Sequence, residues 1–171
     1  SPGDLGRPYR VVREKGKISE ELDPPGVIWA GVRTNDGWRF TIGKGLNDDR
    51  YVYRYTSADG FEKLFACPDF TGSYLSFDGR ELYLSQWYTG QIHRIDDSGN
   101  ISRTIDVGAE ICGHTFVDGQ LYVLRGKENK NVPDTEQWHI GHLDPTETAP
   151  QVNDLPRIPF ASPPLHFYRE T

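Results

Sequence analysis

The sequence predicts an all-β propeller built from four-stranded antiparallel blades. Three observations predict it: a unit that recurs about every forty residues, an Asp-Gly turn between two strand-like runs in each unit, and complementary half-units at the two ends. The Asp-Gly pairs are Asp36-Gly37, Asp78-Gly79 and Asp118-Gly119, spaced 42 and 40 residues apart. A glycine at such a place tolerates the positive φ that tight hairpins require.

Each unit reads as four short strands, A to D. The A strands are Val27 to Val32, Ser73 to Phe77 and His114 to Val117. The B strands are Trp38 to Ile42, Glu81 to Leu84 and Gln120 to Leu124. Strands C and D follow around a second turn. Val52-Tyr53-Arg54-Tyr55 leads through Gly60 to Phe61-Glu62-Lys63-Leu64, and Ile92-His93-Arg94-Ile95 leads through Gly99 to Ile101 through Ile105. In the third unit Ile140-Gly141-His142-Leu143 leads through Asp144-Pro145 to Gln151 onward.

The ends complete the pattern. Pro8-Tyr9-Arg10-Val11 through Gly16 to Ile18 repeats the C-turn-D motif, and Ala161 to Tyr168 resembles an A strand. One array over residues 1–171 is expected: a half-blade at 8–22, blades at 27–67, 72–107 and 110–157, and a closing strand at 160–171. That makes about four blades, one of them composite. The alternatives are a fragment or half of a larger propeller of six to eight blades, or an exchange of half-blades between two chains.

Composition fits many turns and half-buried pleated surfaces, with 18 glycines, 12 prolines and 12% aromatic residues. The net charge of −6 is dispersed, so neither a nucleic-acid groove nor a basic patch is expected. No long apolar run suggests a membrane span. Cys67 and Cys112 allow one disulfide or none, and Asn100-Ile101-Ser102 fits a glycosylation sequon that matters only in a secretory pathway. The absence of methionine and of any leader before Ser1 suggests a removed leader or a longer parent chain, and the compartment stays open.

Candidate chemistry belongs where the D–A and B–C connections converge on one rim. Asp23, Asp69 and Glu110 occupy that place in successive units, where three carboxylates would suit Ca²⁺ or another divalent cation; the plainer reading is turn capping and rim charge. His114, four residues after Glu110, is a candidate general acid or base, with Tyr74 at the matching place one blade earlier. Arg33 is a candidate for neutralising an anionic ligand. Trp87-Tyr88 offers stacking surface for a sugar or aromatic ligand, or for a neighbouring blade. His139 and His142 lie three apart on a predicted strand, on opposite faces, which argues against a shared metal. Arg54 and Arg94 hold matching positions, which suggests a structural role.

The run Phe77-Asp78-Gly79-Arg80-Glu81-Leu82-Tyr83-Leu84, followed by Gly90-Gln91-Ile92-His93-Arg94-Ile95-Asp96, resembles blades of the senescence-marker-protein/gluconolactonase-like and virginiamycin-lyase-like propellers. The resemblance is clearest over residues 72–124. It implies a channel metal held by Glu, Asn and Asp, six blades, and hydrolase, lactonase or lyase activity on a small molecule. The Glu-Gly-Pro start and later Asn-Gly motif that mark those ligands are not recognisable, and Asn35-Asp36-Gly37 falls in an A–B turn instead. The expectation is therefore a propeller that binds a small molecule or protein at its rim, as a monomer or an exchanged dimer, with the metal-dependent enzyme as the alternative.

Overall fold

A computed structural model describes residues 9–12, 17–45, 49–86, 88–127, 131 and 137–156, with side chains described from residue 21 onward and not at Gln86. The closing strand expected at 160–171 and Trp87 lie outside the described residues. No helix among the described residues is long and apolar enough to cross a membrane.

The described residues include three four-stranded antiparallel sheets, each a meander in chain order. The first holds β3 (Val27–Thr34), β4 (Gly37–Gly43), β5 (Tyr51–Thr56) and β6 (Gly60–Ala66). The second holds β7 (Thr71–Phe77), β8 (Leu82–Gln86), β9 (Gln91–Ile95) and β10 (Ile101–Asp106). The third holds β11 (Glu110–Val117), β12 (Gln120–Gly126), β13 (Trp138–Leu143) and the short β14 (Asn153–Asp154). Ahead of them β1 (Tyr9–Val12) and β2 (Lys17–Glu21) form a two-stranded antiparallel sheet. The first strands pack side by side, β3 beside β7 and β7 beside β11, as inner strands of a propeller do.

Alternation along each strand gives every sheet two faces, and successive sheets stack face to face. Between the first and second blades the core is Val52, Phe65, Leu75, Leu82, Leu84 and Ile95. Between the second and third it is Tyr83, Ile92, Ile105, Val107, Ile111, Leu121, Val123 and Leu143. Leu82, Leu84 and Ile95 face back toward the first blade, whereas Tyr83 and Ile92 face forward to the third.

The register corrects one detail of the repeat. The three A–B hairpins place four residues between equivalent paired positions: 34–37 between Arg33 and Trp38, 78–81 between Phe77 and Leu82, and 117–120 between Phe116 and Leu121. The Asp-Gly pair sits last in the first loop, first in the second and central in the third. Positive φ falls accordingly at Gly37 (129°), Gly79 (99°), and Asp118 with Gly119 (50° and 77°). Aligning the units on Asp-Gly therefore slips the first against the second by two residues and the second against the third by one. His114 pairs with Val123 as Leu75 pairs with Leu84, so its repeat counterpart is Leu75 and not Tyr74.

Candidate functional site

The heads of the inner strands and the second-to-third-strand connections share one rim. Asp23 lies exposed in the connection before β3, Asp69 lies exposed in the turn before β7, and Glu110 is the half-buried first residue of β11. Each of the three acids stands in, or at the end of, a connection that leads into an inner strand, one acid per blade. Among the described residues, however, no three His, Cys, Asp or Glu side chains are grouped so as to hold a metal ion.

Arg33 is not brought to that rim. It sits near the far end of β3, paired with Trp38, and its guanidinium lies 5.8 Å from the centroid of the Trp38 ring. Six residues of extended strand, about 20 Å, separate it from Val27 at the head of the strand.

His114 and Tyr74 meet at the junction of β7 and β11. His114 Nδ1 lies 2.6 Å from Ser76 Oγ, and Tyr74 donates its hydroxyl to Cys112 Sγ at 3.9 Å. Burial pushes the His114 pKa down to about 4, with a weaker opposing contribution from the Tyr74 backbone, so the ring is neutral at neutral pH. Its Nε2 is buried and makes no hydrogen bond among the described residues. Burial, and then the bond to Cys112, push the Tyr74 hydroxyl up to about 12. A register shift between Ile111 and Gly113 intervenes between Glu110 and His114. Their four-residue spacing therefore does not place them on one face of the strand.

The rim is open between the second and third blades. There a cleft of about 490 Å³ is lined by Tyr88, Thr89, Asp106, Ala109, Glu110 and Lys127, among others. Its floor is set by backbone. Val107 N donates to Gly90 O at 2.9 Å, and Asp106 Oδ1 accepts from Gly108 N at 2.7 Å. Gly90 has φ +64°, and a Cβ there would lie 2.2 Å from Ala109 O, so only glycine lets the two connections approach this closely. Tyr88 stands 77% exposed at the edge, the most exposed large hydrophobic side chain among the described residues. A second aromatic, Phe70, is 66% exposed in the preceding blade's rim turn. Lower on that side, Arg50 lies 3.9 Å from the centroid of Trp29 and reaches Ser73 Oγ at 2.8 Å.

Sequence reasoning reached Tyr88 and Glu110 but missed Asp106, Lys127 and Phe70. Each flanks a connection that opens on this rim: Asp106 and Phe70 before an A strand, Lys127 just after β12. Their position relative to the repeat is the signal in the sequence that marks them. Of the other residues singled out, Arg54 pairs with Glu62 and Arg94 Nε lies 3.0 Å from Glu81, so both cross-link neighbouring strands as their matching positions suggest. His142 stacks against Tyr122 on β13, with ring centroids 5.6 Å apart. Cys67 and Cys112 are both half-buried and form no disulfide.

No protein-family model matches the chain, and no curated protein matches it. Solved structures do. A chain of a nidogen/laminin complex aligns with TM-score 0.63 at 14% identity, covering 87% of this chain and 59% of that one. Virginiamycin B lyase from Staphylococcus aureus aligns with TM-score 0.57 at 15% identity, covering 91% and 50%. The β-propeller domain of Myceliophteria thermophila Cps50 (Swd1) aligns with TM-score 0.51 at 16% identity, covering 83% and 42%. The chain thus spans roughly half the length of the structures it matches. At these identities the likeness carries the fold alone: this chain is built of β-propeller blades.

Proposed function

We propose that this chain is a non-catalytic binding propeller whose rim cleft between the second and third blades receives a short segment of a partner protein. The observation that carries the reading is Tyr88, a large aromatic held in solvent over a cleft that also presents Asp106, Glu110 and Lys127. An exposed aromatic beside fixed charges is the composition of a recognition surface, where a rigid ring supplies contact area and charges supply orientation. Among the described residues that line it, two carboxylates stand against one ammonium, which favours a segment carrying Arg or Lys. A nidogen/laminin complex among the fold neighbours is a precedent for a propeller within a protein assembly.

The test is selection of displayed random peptides on the intact chain, followed by titration of the enriched peptides on Tyr88→Ala and Glu110→Gln. Basic peptides that lose at least tenfold in affinity on both variants support the cleft. Peptides bound equally well by wild type and variants place recognition elsewhere. The metal-dependent hydrolase or lyase reading is separated by a melting scan with Ca²⁺, since a rise in Tm that Glu110→Gln abolishes would replace the binding reading.

A further inference from the structure

The sequence holds four Asp-Gly pairs, each at the turn of a hairpin, and the fold treats their carboxylates very differently. Asp36 is held hardest. It accepts from Thr34 Oγ1 at 2.9 Å and from Arg39 at 3.0 and 3.2 Å, with the Arg54 guanidinium 3.6 Å away. Asp78 accepts from the backbone of Arg80 and Glu81, both at 2.8 Å, and from the Tyr83 hydroxyl at 3.2 Å. Asp59 is reached by one neutral donor, Thr56 Oγ1, at a long 3.4 Å. Asp118 is exposed, and no group among the described residues binds its carboxylate.

The backbone adds to the contrast. A Cβ at Gly37 would lie 2.4 Å from Tyr55 O, so that turn is packed against the neighbouring strand, whereas one at Gly119 would meet nothing within 4 Å. Asp118 and Gly119 both take positive φ, 50° and 77°, in a two-residue loop between the paired Val117 and Gln120. Asp tolerates the left-handed region better than most residues, but it is not the region an L side chain prefers.

These differences bear on a reaction that Asp-Gly pairs undergo without a catalyst. The glycine amide nitrogen attacks Cγ of the protonated aspartyl carboxyl and loses its proton, and the carboxyl hydroxyl departs as water. The resulting succinimide takes up one water. Opening at the α carbonyl carries the chain through the β carbon as isoaspartate, with composition and mass unchanged. Glycine favours the attack because no side chain shields its nitrogen. Donors on the carboxylate oppose it, because they stabilise the ionised form and must be given up before Cγ can turn to the nitrogen. Each charge-assisted bond that must break slows such a step by about tenfold or more.

We infer that Asp118-Gly119 is a modification site that isomerises to isoaspartate in the folded protein, with Asp59 next and Asp78 and Asp36 protected. The product presents a free α-carboxylate at an exposed hairpin tip, the group that an isoaspartyl methyltransferase esterifies from S-adenosylmethionine. It also lengthens by one backbone atom the loop that closes Phe116 onto Leu121, both at the second inter-blade interface.

The experiment holds the intact chain at neutral pH for weeks, in buffer and in parallel in unfolding urea, and follows tryptic peptides. The four pairs fall on separate peptides: Thr34–Arg39, Tyr55–Lys63, Leu64–Arg80 and Thr104–Arg125. An isoaspartyl form elutes apart from its parent at the same mass and accepts a methyl group from the methyltransferase. In buffer it should accumulate first in Thr104–Arg125, then in Tyr55–Lys63, and at least about tenfold more slowly in Thr34–Arg39. In urea the four rates should converge, because the bonds that separate them are gone. Asp118→Glu, whose longer side chain closes an imide far less readily, should silence Thr104–Arg125 and leave the other three unchanged. Equal rates in buffer overturn the inference. So does an order that persists in urea, which would assign it to local sequence, or a Thr104–Arg125 peptide that isomerises only when unfolded.

Discussion

The two inter-blade interfaces do the same structural work with different chemistry. The first is tied by charge at its turn end. Arg39 is only 3% exposed, and its guanidinium binds Asp97 of the second blade through both carboxylate oxygens, at 3.1 and 3.0 Å. It also binds Asp36 in its own hairpin, at 3.0 and 3.2 Å. Burial works against its charge, and the bonds to Asp97 and Asp36 more than offset that, so its pKa is pushed up. The second interface is mostly hydrocarbon. Its eight core residues are at most 2% exposed, and Tyr83 meets Phe116 edge-on at 4.8 Å. Tyr83 occupies in the second blade the place of Arg39 in the first, and it too reaches back to its hairpin aspartate, Asp78, at 3.2 Å. The reach from the second strand to the turn is a property of the repeat. The chemistry that fills it is interchangeable.

The largest test of the comparison falls on the hydrocarbon interface. Leu121 is 0% exposed, and Leu121→Ala should cost about 3–4 kcal/mol in urea unfolding, because it removes a buried isobutyl group and leaves a cavity between two blades that cannot slide together. A loss below about 1 kcal/mol would mean that this interface is loosely packed.

Acid should then separate the contributions of His114 and Asp36 by pH window. The folded pKa of His114 is depressed to about 4, below the unfolded value of 6.5, so between these limits the unfolded chain binds more protons. Stability at the second interface should be complete above pH 6.5 and fall as pH drops toward 4, by up to about 3 kcal/mol. Burial lowers the pKa of His93 as well, and because His93 shares the Leu84 face that meets the first blade, its part of the upper stage belongs to the first interface. At the first interface the hydrogen bond from Arg39, and then that from Thr34, hold the pKa of Asp36 down to about 2, so its contribution is present above 3.8 and is lost only below it. A Tm–pH profile should therefore descend in two stages, and His114→Gln should flatten the upper one while leaving the lower. An unchanged upper stage would remove His114 from the account.

The charged clamp comes next in size. Arg39→Ala should cost about 2–3 kcal/mol, from lost charge-assisted hydrogen bonds and lost packing of the aliphatic stem. The partners Asp36 and Asp97 are 52% and 59% exposed, so water can take them over, which keeps the cost below that of stranding a buried charge. Because the guanidinium itself is buried, moderate salt should change the effect little; a loss that salt erases would mark the clamp as a surface pair.

Most of the fold was legible because a repeat states its own period. The strand pairs flanking each hairpin, the Gly60 and Gly99 turns with φ of +70° and +86°, and the opening pair of strands all follow from spacing and turn chemistry. The residue-level alignment was less legible, because Asp-Gly can hold three different places in a four-residue loop. That displaced the counterpart of His114 by one position. Rim acids were found by counting from the repeat, but bulges near Ile28, Thr71 and Ile111 break the alternation that would tell which way each neighbouring side chain points. Nothing in the sequence marks Arg39 as buried, because its partner Asp97 lies 58 residues away in the next blade.

Tyr83→Phe gives the smallest and sharpest test. It leaves the ring against Phe116 and deletes only the hydroxyl that donates to Asp78. Asp78 keeps its two backbone donors, Arg80 N and Glu81 N, both at 2.8 Å, and remains in contact with water. The hydroxyl also meets the Arg94 side chain, which keeps Glu81 and Ser102 as partners, so neither neighbour is stranded and the loss should be about 0.5–1.5 kcal/mol. Burial, and then the charge of Asp78, push the Tyr83 hydroxyl up to about 12, so it stays a neutral donor across the whole accessible range and the loss should not vary between pH 5 and 9. A cost equal to that of Arg39→Ala would show that the turn contact, rather than the charge spanning two blades, dominates the first interface. A cost near zero would assign the second interface to its hydrocarbon alone.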